Sequence, residues 1–385
     1  MPRVGAGKRK SDLEQSVKPA SGLPLNPHIA ALPFYNAGMN IAMARALSGR
    51  HDIARLASNE NPDGCSPAVM VALASSSFEP WRYADPACTA LRAALGEKLA
   101  VDPGLIVAGN GSEEMIAAIS RAVLVPGASV VTTVPSFGLH EIEPLAAGAD
   151  VVKIAMTPEM GFDLAALEMA IAAGPRIVFI SSPWNPVGPG LDRPSLQRLI
   201  DAVRPGTLLV LDEAYFEFAD PGAPDGIEVL RDSGIDHVVL RTFSKAYGLA
   251  GLRVGYAVCS GFELARVIAA AKTPFNVNAA AQTASIAALA DESWMKASAG
   301  RVRAERARAA AALAGLGFGV AQSQTNFLFF DCKGDSASLA AGLLKQGIIV
   351  KAWREAGYEH YLRATIGLPA DNDRLITALQ GLAGR

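Results

Sequence analysis

The sequence has no long hydrophobic run, few aromatic residues and little net charge, and each absence excludes a class of protein. No apolar stretch reaches the roughly 18 residues of a membrane-spanning helix, and no apolar segment follows the basic residues 1–12, as a secretory signal requires. The formal net charge of −2 argues against a general nucleic-acid-binding surface. Aromatics make up 6% of the 385 residues whereas half are apolar, which predicts a large aliphatic core.

Cysteine and histidine are too scattered to indicate a disulfide framework or a metal site. The four cysteines contain no C-x-x-C pair, so they indicate reduced, mostly packed thiols and a cytoplasmic protein. The five histidines show no metal-ligand spacing, and we therefore expect no structural metal.

Apolar runs alternate with helical segments from about residue 105 onward. The apolar runs are apolar at both odd and even positions, as are parallel strands covered on both faces; they span residues 129–136, 150–156, 176–183, 207–215 and 237–244. Helical patterns occupy the segments between them, including 137–149, 163–174 and 193–205. This alternation predicts an α/β fold with a mostly parallel sheet.

The pattern changes after about residue 280, where two long helical segments precede three apolar runs. Those runs, 325–331, 347–353 and 361–367, predict strands, and helices are expected from Ser336 and Asn372. We therefore predict a smaller α+β domain here. The predicted division is a disordered tail at 1–25, an arm at 26–58 that joins the small domain, a large domain at 59–278 and the small domain at 279–385.

Four short motifs fall where predicted strands end, and in open α/β sheets ligands bind beyond those ends. GNGSEE (109–114) places glycines before a helix start, whose free N–H groups suit an anion. In SSPWNPVG (181–188), two X-Pro steps restrict the backbone and fix the orientation of Asn185. DEAYFEF (212–218) begins with Asp212 at the end of a buried strand, where a carboxylate needs a cation or a hydrogen-bond donor as partner. Each motif alone has an ordinary structural explanation. Together with TFSKAYGLAGLRVGY (242–256), their combination and order favour a ligand site.

The order Asn-Pro-x-Gly, Asp-x-x-Tyr, Ser-Lys-x-x-x-Leu-x-Gly-x-Arg-x-Gly resembles the fold-type-I pyridoxal-phosphate aminotransferases. LASNENPDGCSP (56–67), WRYADPACTALRAAL (81–95) and GNGSEEMI are most similar to histidinol-phosphate aminotransferases, and the resemblance runs from about residue 26 to the C-terminus. It implies a mostly parallel, seven-stranded sheet between helices, a pyridoxal 5'-phosphate cofactor, and a homodimer with shared active sites.

The resemblance also implies a role for the residues around the cofactor ring. Lys245 would bind the cofactor aldehyde and carry protons, in a site that disfavours its ammonium form. Asp212 would keep the pyridine nitrogen protonated, while Tyr215 and Asn185 would hydrogen-bond the ring 3-oxygen. Phe137, where the family more often has tyrosine, would stack on the ring.

Further residues would bind the phosphate of the cofactor. The resemblance assigns the cofactor phosphate to the backbone of Ser112 and Glu113 and to the side chains of Thr242, Ser244 and Arg253, with Tyr83 reaching it from the neighbouring subunit.

The substrate end of the site departs in part from the family pattern. Arg363 would bind the substrate's anionic end, and Lys351 stands where the family often has an arginine that helps bind the substrate phosphate. Asn185 is expected to contact substrate as well as cofactor. Tyr35, or Phe34 beside it, would take the place of the family's substrate-contacting tyrosine.

The sequence leaves the substrate open among three reactions that share the Lys245 and Asp212 chemistry. We favour transamination of histidinol phosphate, with glutamate and 2-oxoglutarate as the other pair. Trp184, where the family usually has asparagine, and the segment 272–278 would suit the pocket of an aromatic amino-acid aminotransferase. A decarboxylase of phosphorylated amino acids is the third candidate. A non-enzymatic regulator would need a DNA-binding domain, for which about 25 preceding residues are too few.

Overall fold

The computed structural model describes residues 22–33, 38–76 and 78–382. Its strands are β1 Ala54–Arg55, β2 Ile106–Gly109, β3 Ser129–Val134, β4 Asp150–Ala155, β5 Ile177–Ser181, β6 Leu208–Asp212, β7 His237–Thr242, β8 Gly255–Cys259, β9 Gly319–Val320, β10 Phe327–Asp331, β11 Ile348–Ile349, β12 Lys351–Ala352 and β13 Tyr361–Thr365. Its α-helices are α1 Pro27–Ala30, α2 Ile41–Ser48, α3 Pro67–Ser75, α4 Thr89–Leu99, α5 Gly111–Val123, α6 Leu139–Ala146, α7 Leu164–Ala172, α8 Arg193–Ala202, α9 Gly226–Arg231, α10 Phe262–Ala271, α11 Ala279–Ala290, α12 Glu292–Gly315, α13 Ser336–Lys345 and α14 Pro369–Leu382.

A seven-stranded sheet with the order β2-β8-β7-β6-β5-β3-β4 forms the centre of the fold. Neighbouring strands from β7 to β4 pair in parallel, whereas β8 runs antiparallel to both β7 and β2. The predicted mostly parallel α/β sheet is confirmed. The antiparallel β8 follows the glycine-spaced run that carries Lys245 and has no counterpart among the predicted strands.

Burial explains why the central strands have no polar face. Every residue of β5, β6 and β7 is buried, because helices cover both sides of the sheet. Their carboxyl ends lie side by side: Ser181 pairs with Asp212, and Asp212 pairs with Leu240, two residues before Thr242 ends β7. Polar residues that follow these strands therefore meet at one edge of the sheet.

The predicted helices mostly occur where the sequence placed them. Asp192 caps α8 by accepting a hydrogen bond from the Ser195 N–H at 2.8 Å, and Pro194 occupies the first turn as expected. The last helix, α14, begins at Pro369 instead of Asn372.

A second, antiparallel sheet has the order β12-β13-β10-β9. The run 347–353 was predicted as one strand, and this is wrong: β11 pairs in parallel with β1, whereas β12 pairs with β13. The chain changes partner at Val350, which interrupts the strand. The pairing of β1 with β11 brings the predicted arm onto the C-terminal part of the chain. The predicted division into four segments stays a prediction, and most of the predicted tail lies outside the described residues.

All four cysteines are free thiols, and Cys88 and Cys259 are buried. The cytoplasmic location expected from them stays a prediction.

Across residues 22–33, 38–76 and 78–382, no helix is long and apolar enough to cross a membrane. The same part of the chain contains no cluster of three His, Cys, Asp or Glu side chains that could hold a metal ion.

Candidate active site

A cavity of about 730 Å³ lies between the carboxyl ends of the central strands and the smaller sheet. Twelve residues singled out in the sequence line it: Ser112, Glu113, Phe137, Asn185, Asp212, Tyr215, Thr242, Ser244, Lys245, Arg253, Lys351 and Arg363. Tyr83 is not among the lining residues, and Tyr35 and Phe34 lie outside the described residues. The fold thus brings together residues that are up to 251 positions apart (363 − 112).

Lys245 lies on the loop that follows β7 and points its amine into this cavity. Its Nζ is 3.4 Å from the carbonyl oxygen of Ser58 and 5.7 Å from the centre of the Tyr215 ring. Burial lowers the pKa of Lys245 to about 8, and the positive charge of Arg363 adds to this effect. A lysine with a lowered pKa has more neutral amine near neutral pH, as a nucleophile or proton carrier requires.

Asp212 ends β6, and its carboxylate is buried as the sequence predicted. Its Oδ1 accepts a hydrogen bond from the backbone N–H of Ala214 at 3.0 Å, and its Oδ2 lies 3.0 Å from Nε2 of His140. His140 is on α6, fully buried, and stacks on the ring of Phe179 with centroids 5.1 Å apart. Both oxygens of this buried carboxylate therefore have a hydrogen-bond partner.

His140 is a site residue that the sequence analysis did not identify. Its position is three residues after Phe137, close to one helical turn, and the two rings meet edge to face at 5.5 Å. That spacing is the one local signal that could have indicated it.

Hydrogen bonds cross the cavity from the smaller sheet to the larger one. Arg363, on β13, donates from Nη1 to Oδ1 of Asn185 at 2.6 Å and from Nη2 to the carbonyl of Ala57 at 2.8 Å. The hydroxyl of Tyr215 accepts from Nδ2 of Asn59 at 2.8 Å. Asn59, which belongs to the quoted segment 56–67 but was given no role, therefore holds the Tyr215 hydroxyl in place.

The N-terminus of α5 and two glycines form a cradle at the large-sheet end of the cavity. Gly111 has φ +80°, and a Cβ atom there would lie 2.6 Å from Nη2 of Arg253; a Cβ on Gly255 would collide with the backbone N of Ser112. Glycine is therefore needed for the backbone to pack this closely. Backbone N–H groups at the start of α5, together with Ser112 and Ser244 in the wall, suit an anion.

Arg253 and Thr242 support this cradle in different ways. Nη2 of Arg253 pairs with Oε2 of Glu113 at 2.8 Å, and Nη1 lies 3.4 Å from Oγ of Ser244. The Thr242 hydroxyl donates to the carbonyl of Val254 at 3.2 Å and accepts from the Ser244 N–H at 3.1 Å. Thr242 thus orders the loop, and its direct contact with a phosphate stays a prediction.

The smaller sheet contributes two further cations to the cavity wall, on neighbouring strands. Lys351 and Arg363 are direct cross-strand partners, and both lie near the indole of Trp353, at 5.6 Å for Lys351 Nζ and 6.0 Å for Arg363 Cζ. Burial and the charge of Arg363 lower the pKa of Lys351 to about 8. Two cations in one wall favour an anionic ligand. Trp353 lines the cavity and was not identified from the sequence.

Trp184 and the segment 272–278, which the sequence suggested for an aromatic pocket, do not line the cavity. Trp184 is fully buried, donates from Nε1 to the carbonyl of Pro135 at 2.7 Å, and is not in the cavity wall. The segment 272–278 is not in the wall either; its Phe275 stacks on Tyr83 with ring centroids 4.5 Å apart. Tyr83 itself is 83% exposed.

Comparison with known proteins agrees with this geometry. Residues 51–379 match the family described as aminotransferase class I and II. Histidinol-phosphate aminotransferase 3 of Rhizobium meliloti is 42% identical over 358 residues, covering 93% of this chain and 97% of that protein. The crystal structure of histidinol-phosphate aminotransferase from Sinorhizobium meliloti in complex with pyridoxal-5'-phosphate superposes with a TM-score of 0.85 at 29% identity, covering 94% of this chain and 99% of that one. L-threonine-O-3-phosphate decarboxylase from Porphyromonas gingivalis gives a TM-score of 0.75 at 25% identity, covering 86% of this chain and all of that one.

We expect the amine of Lys245 in the cofactor-free protein to titrate near pH 8, and Arg363→Met to raise that pKa. The variant removes a cation that disfavours the ammonium form, so a higher pH is needed to deprotonate it. Labelling with acetic anhydride over a pH series, quantified by peptide mass spectrometry, measures this because only the neutral amine reacts. Exposed Lys296 is the internal control. A Lys245 profile that Arg363→Met leaves unchanged would contradict the coupling.

Proposed function

The chain belongs to the class I and II aminotransferases, and on that premise we propose that it transfers the amino group of histidinol phosphate to 2-oxoglutarate with pyridoxal 5'-phosphate as cofactor. One observation carries the proposal: a single cavity is lined by Lys245 and Asp212 from the central sheet and its loops, and by the cations Lys351 and Arg363 from the smaller sheet. The similarity to relatives named histidinol-phosphate aminotransferase supports the substrate.

The cradle at the start of α5 fits the cofactor's phosphate. Its close-packed glycines leave backbone N–H groups free for an anion, and Ser112, Ser244 and Arg253 surround it. Arg253 presents a planar guanidinium, which suits two phosphate oxygens at once. These residues would bind the phosphate, and the pairing of Arg253 with Glu113 fixes the guanidinium beforehand.

The remaining wall fits the cofactor's ring. When bound, pyridoxal phosphate supplies an electron sink for the charge left on the substrate's α-carbon. Asp212, whose oxygens contact the Ala214 N–H and Nε2 of His140, would keep the proton on the ring nitrogen. Tyr215 and Asn185 would hydrogen-bond the ring oxygen, and Phe137 would cover one ring face.

Lys245 performs the proton transfer in this scheme. Its lowered pKa leaves more of the amine neutral, so the amine could take the proton from the α-carbon of the amino donor. The protonated amine could then give the proton back later in the reaction. The same amine would bind the cofactor aldehyde between turnovers.

Lys351 and Arg363 bind the anionic end of either substrate. Arg363 offers parallel N–H donors in a fixed plane, because hydrogen bonds to Asn185 and to the carbonyl of Ala57 hold its guanidinium in place. Lys351 adds a point charge from the adjacent strand. Both suit the dianionic phosphate of histidinol phosphate and a carboxylate of glutamate.

An aromatic amino-acid aminotransferase is the second candidate, and the observation that favours it is Trp353. Its indole lines the cavity, so a flat apolar side chain could pack on it. Decarboxylation of a phosphorylated amino acid is the third candidate. The structural similarity to L-threonine-O-3-phosphate decarboxylase supports it, because that fold is the same and its substrate also carries a phosphate.

The active form is proposed to be a homodimer. Trp81 and Tyr83 are 75% and 83% exposed, and large aromatics on a surface suit a protein interface. The stacking of Tyr83 on Phe275 holds its ring outward, as a residue that reaches a neighbouring subunit requires.

A substrate panel tests the proposed function. We expect kcat/KM with 2-oxoglutarate as acceptor to be higher for histidinol phosphate than for phenylalanine, tyrosine or threonine phosphate, because the phosphate meets two cations. Glutamate formation is measured by a coupled dehydrogenase assay, and carbon dioxide release tests decarboxylation. Lys245→Ala is the inactive control. A higher kcat/KM for phenylalanine would place the aromatic reaction first.

Replacement of the two cations tests the anionic end. A charge-assisted hydrogen bond contributes roughly 1.5–3 kcal/mol, so Arg363→Ala should lower kcat/KM about 10- to 150-fold for both substrates. Lys351→Ala should affect histidinol phosphate more than glutamate, because a dianion gains more from a second cation. Lys333→Ala removes an exposed cation outside the cavity wall and is the matched control. Unchanged kinetics in Lys351→Ala would remove Lys351 from the site.

Subunit exchange tests the shared site. If Tyr83 completes the neighbour's phosphate site, Lys245→Ala and Tyr83→Ala proteins, each with little activity, should regain activity when mixed. The gain arises because a hybrid dimer contains one site with both residues intact. Activity of the mixture is compared with that of each variant alone. A fully active monomer in analytical ultracentrifugation would contradict the proposal.

A further inference from the structure

Glu355 links two parts of the cavity wall that belong to different sheets. Its Oε2 accepts a hydrogen bond from the indole Nε1–H of Trp353 at 3.1 Å and another from the backbone N–H of Ser136 at 3.1 Å. Trp353 follows β12 of the smaller sheet, whereas Ser136 follows β3 of the central sheet and precedes Phe137. Trp353 and Phe137 both line the cavity, but Glu355 does not.

The indole of Trp353 is held from several directions. Its backbone N–H donates to the carbonyl of Tyr361 at 3.0 Å, which continues the ladder between β12 and β13. The ring meets that of Phe329 edge to face at 5.8 Å. Lys351 and Arg363 lie within about 6 Å of its centre, where the negative face of an indole attracts cations. The orientation of the indole therefore affects the position of both cations.

On the other side, Ser136 leads directly to the reaction centre. Phe137 contacts the edge of His140, and His140 lies against Asp212. The two hydrogen bonds of Glu355 thus connect Trp353, which lies beside Lys351 and Arg363, with Ser136, which precedes Phe137.

We propose that Glu355 is a positioning residue for the reaction: by fixing Trp353 and the backbone before Phe137, it sets the distance between the Lys351 and Arg363 anion site and the amine of Lys245. The inference deepens the proposed function and rests on it for the identity of the anion. Productive binding needs both ends of a substrate placed at once, so displacement of one end weakens binding in the reactive position.

The chemistry of the two bonds predicts that the shape of Glu355 matters more than its charge. Both partners are N–H donors, and the carbonyl oxygen of a glutamine can accept two such bonds. Glu355→Gln should therefore retain activity within about twofold of the wild type, whereas Glu355→Ala loses both acceptors.

The test compares the holoenzymes of these variants in steady-state kinetics. Glu355→Ala should lower kcat/KM for histidinol phosphate about 5- to 30-fold, the range for one or two modest hydrogen bonds, mainly through a higher KM. Cofactor affinity and melting temperature should stay near wild type, since neither bond reaches the phosphate cradle. A purely structural role would instead lower both without a change in KM.

A double-mutant cycle identifies the route of the effect. Trp353→Phe keeps a ring but removes the indole N–H, so it should reproduce a large part of the loss, and adding Glu355→Ala should then cost less than in the wild type. Tyr358→Phe is one control, because it removes the other bond between these segments, to the carbonyl of Val134, and leaves the indole acceptor. Glu359→Ala is a second: the side chain of Glu359 accepts a hydrogen bond from the nearby Gly357 N–H, and the variant keeps the backbone bond from Ser336. Both controls should stay within twofold.

Three results would overturn the inference: kcat/KM within twofold of wild type in Glu355→Ala, equal losses in Glu355→Gln and Glu355→Ala, or full additivity with Trp353→Phe. The glutamate half-reaction is measured in parallel, because its carboxylates meet the same cations. Failure of the wild type to use histidinol phosphate would refute the proposed function alone, and the glutamate data would still decide the role of Glu355.

Discussion

The burial of one carboxylate, Asp212, is the constraint on which the site depends. A charged oxygen pair inside a protein is stable only with donors, and here a backbone N–H and His140 supply them. His140 must then be buried on α6, which fixes Phe137 beside it. The ends of the parallel strands provide the depth, because β6 lies in the middle of the sheet with covered faces. The reactive end of the cavity is thus a consequence of satisfying one buried charge.

The two ends of the cavity belong to different sheets, so side-chain hydrogen bonds set their relative position. Arg363 reaches from β13 to Asn185, and Glu355 bridges Trp353 and Ser136. The bonds from Arg363 to Asn185 and from Ser136 to Glu355 each join a residue after residue 350 to one before residue 190. A site built this way can place a charged substrate end and a reacting carbon at a defined separation, which neither sheet could do alone.

Positive charge gives the cavity its chemical preference and also changes its own residues. Lys245, Lys351, Arg253 and Arg363 all line it, and the repulsion among them contributes to the lowered pKa values of the two lysines. An anion at either end relieves this repulsion. The cations therefore favour anionic ligands, and the lowered pKa of Lys245 leaves more of its amine neutral.

The sequence by itself determined the central strands, because burial on both faces requires apolar residues at every position, and the catalytic motifs, because glycine turns and strand ends leave local patterns. It also indicated Lys245 and Asp212. Only the tertiary structure decided the antiparallel β8, the break between β11 and β12, and the positions and contacts of His140, Trp353 and Glu355. Their partners lie 72 residues away for His140 and 219 for Glu355. A contact between residues so distant depends on how sheets pack, and it leaves no periodic or local signal in the chain.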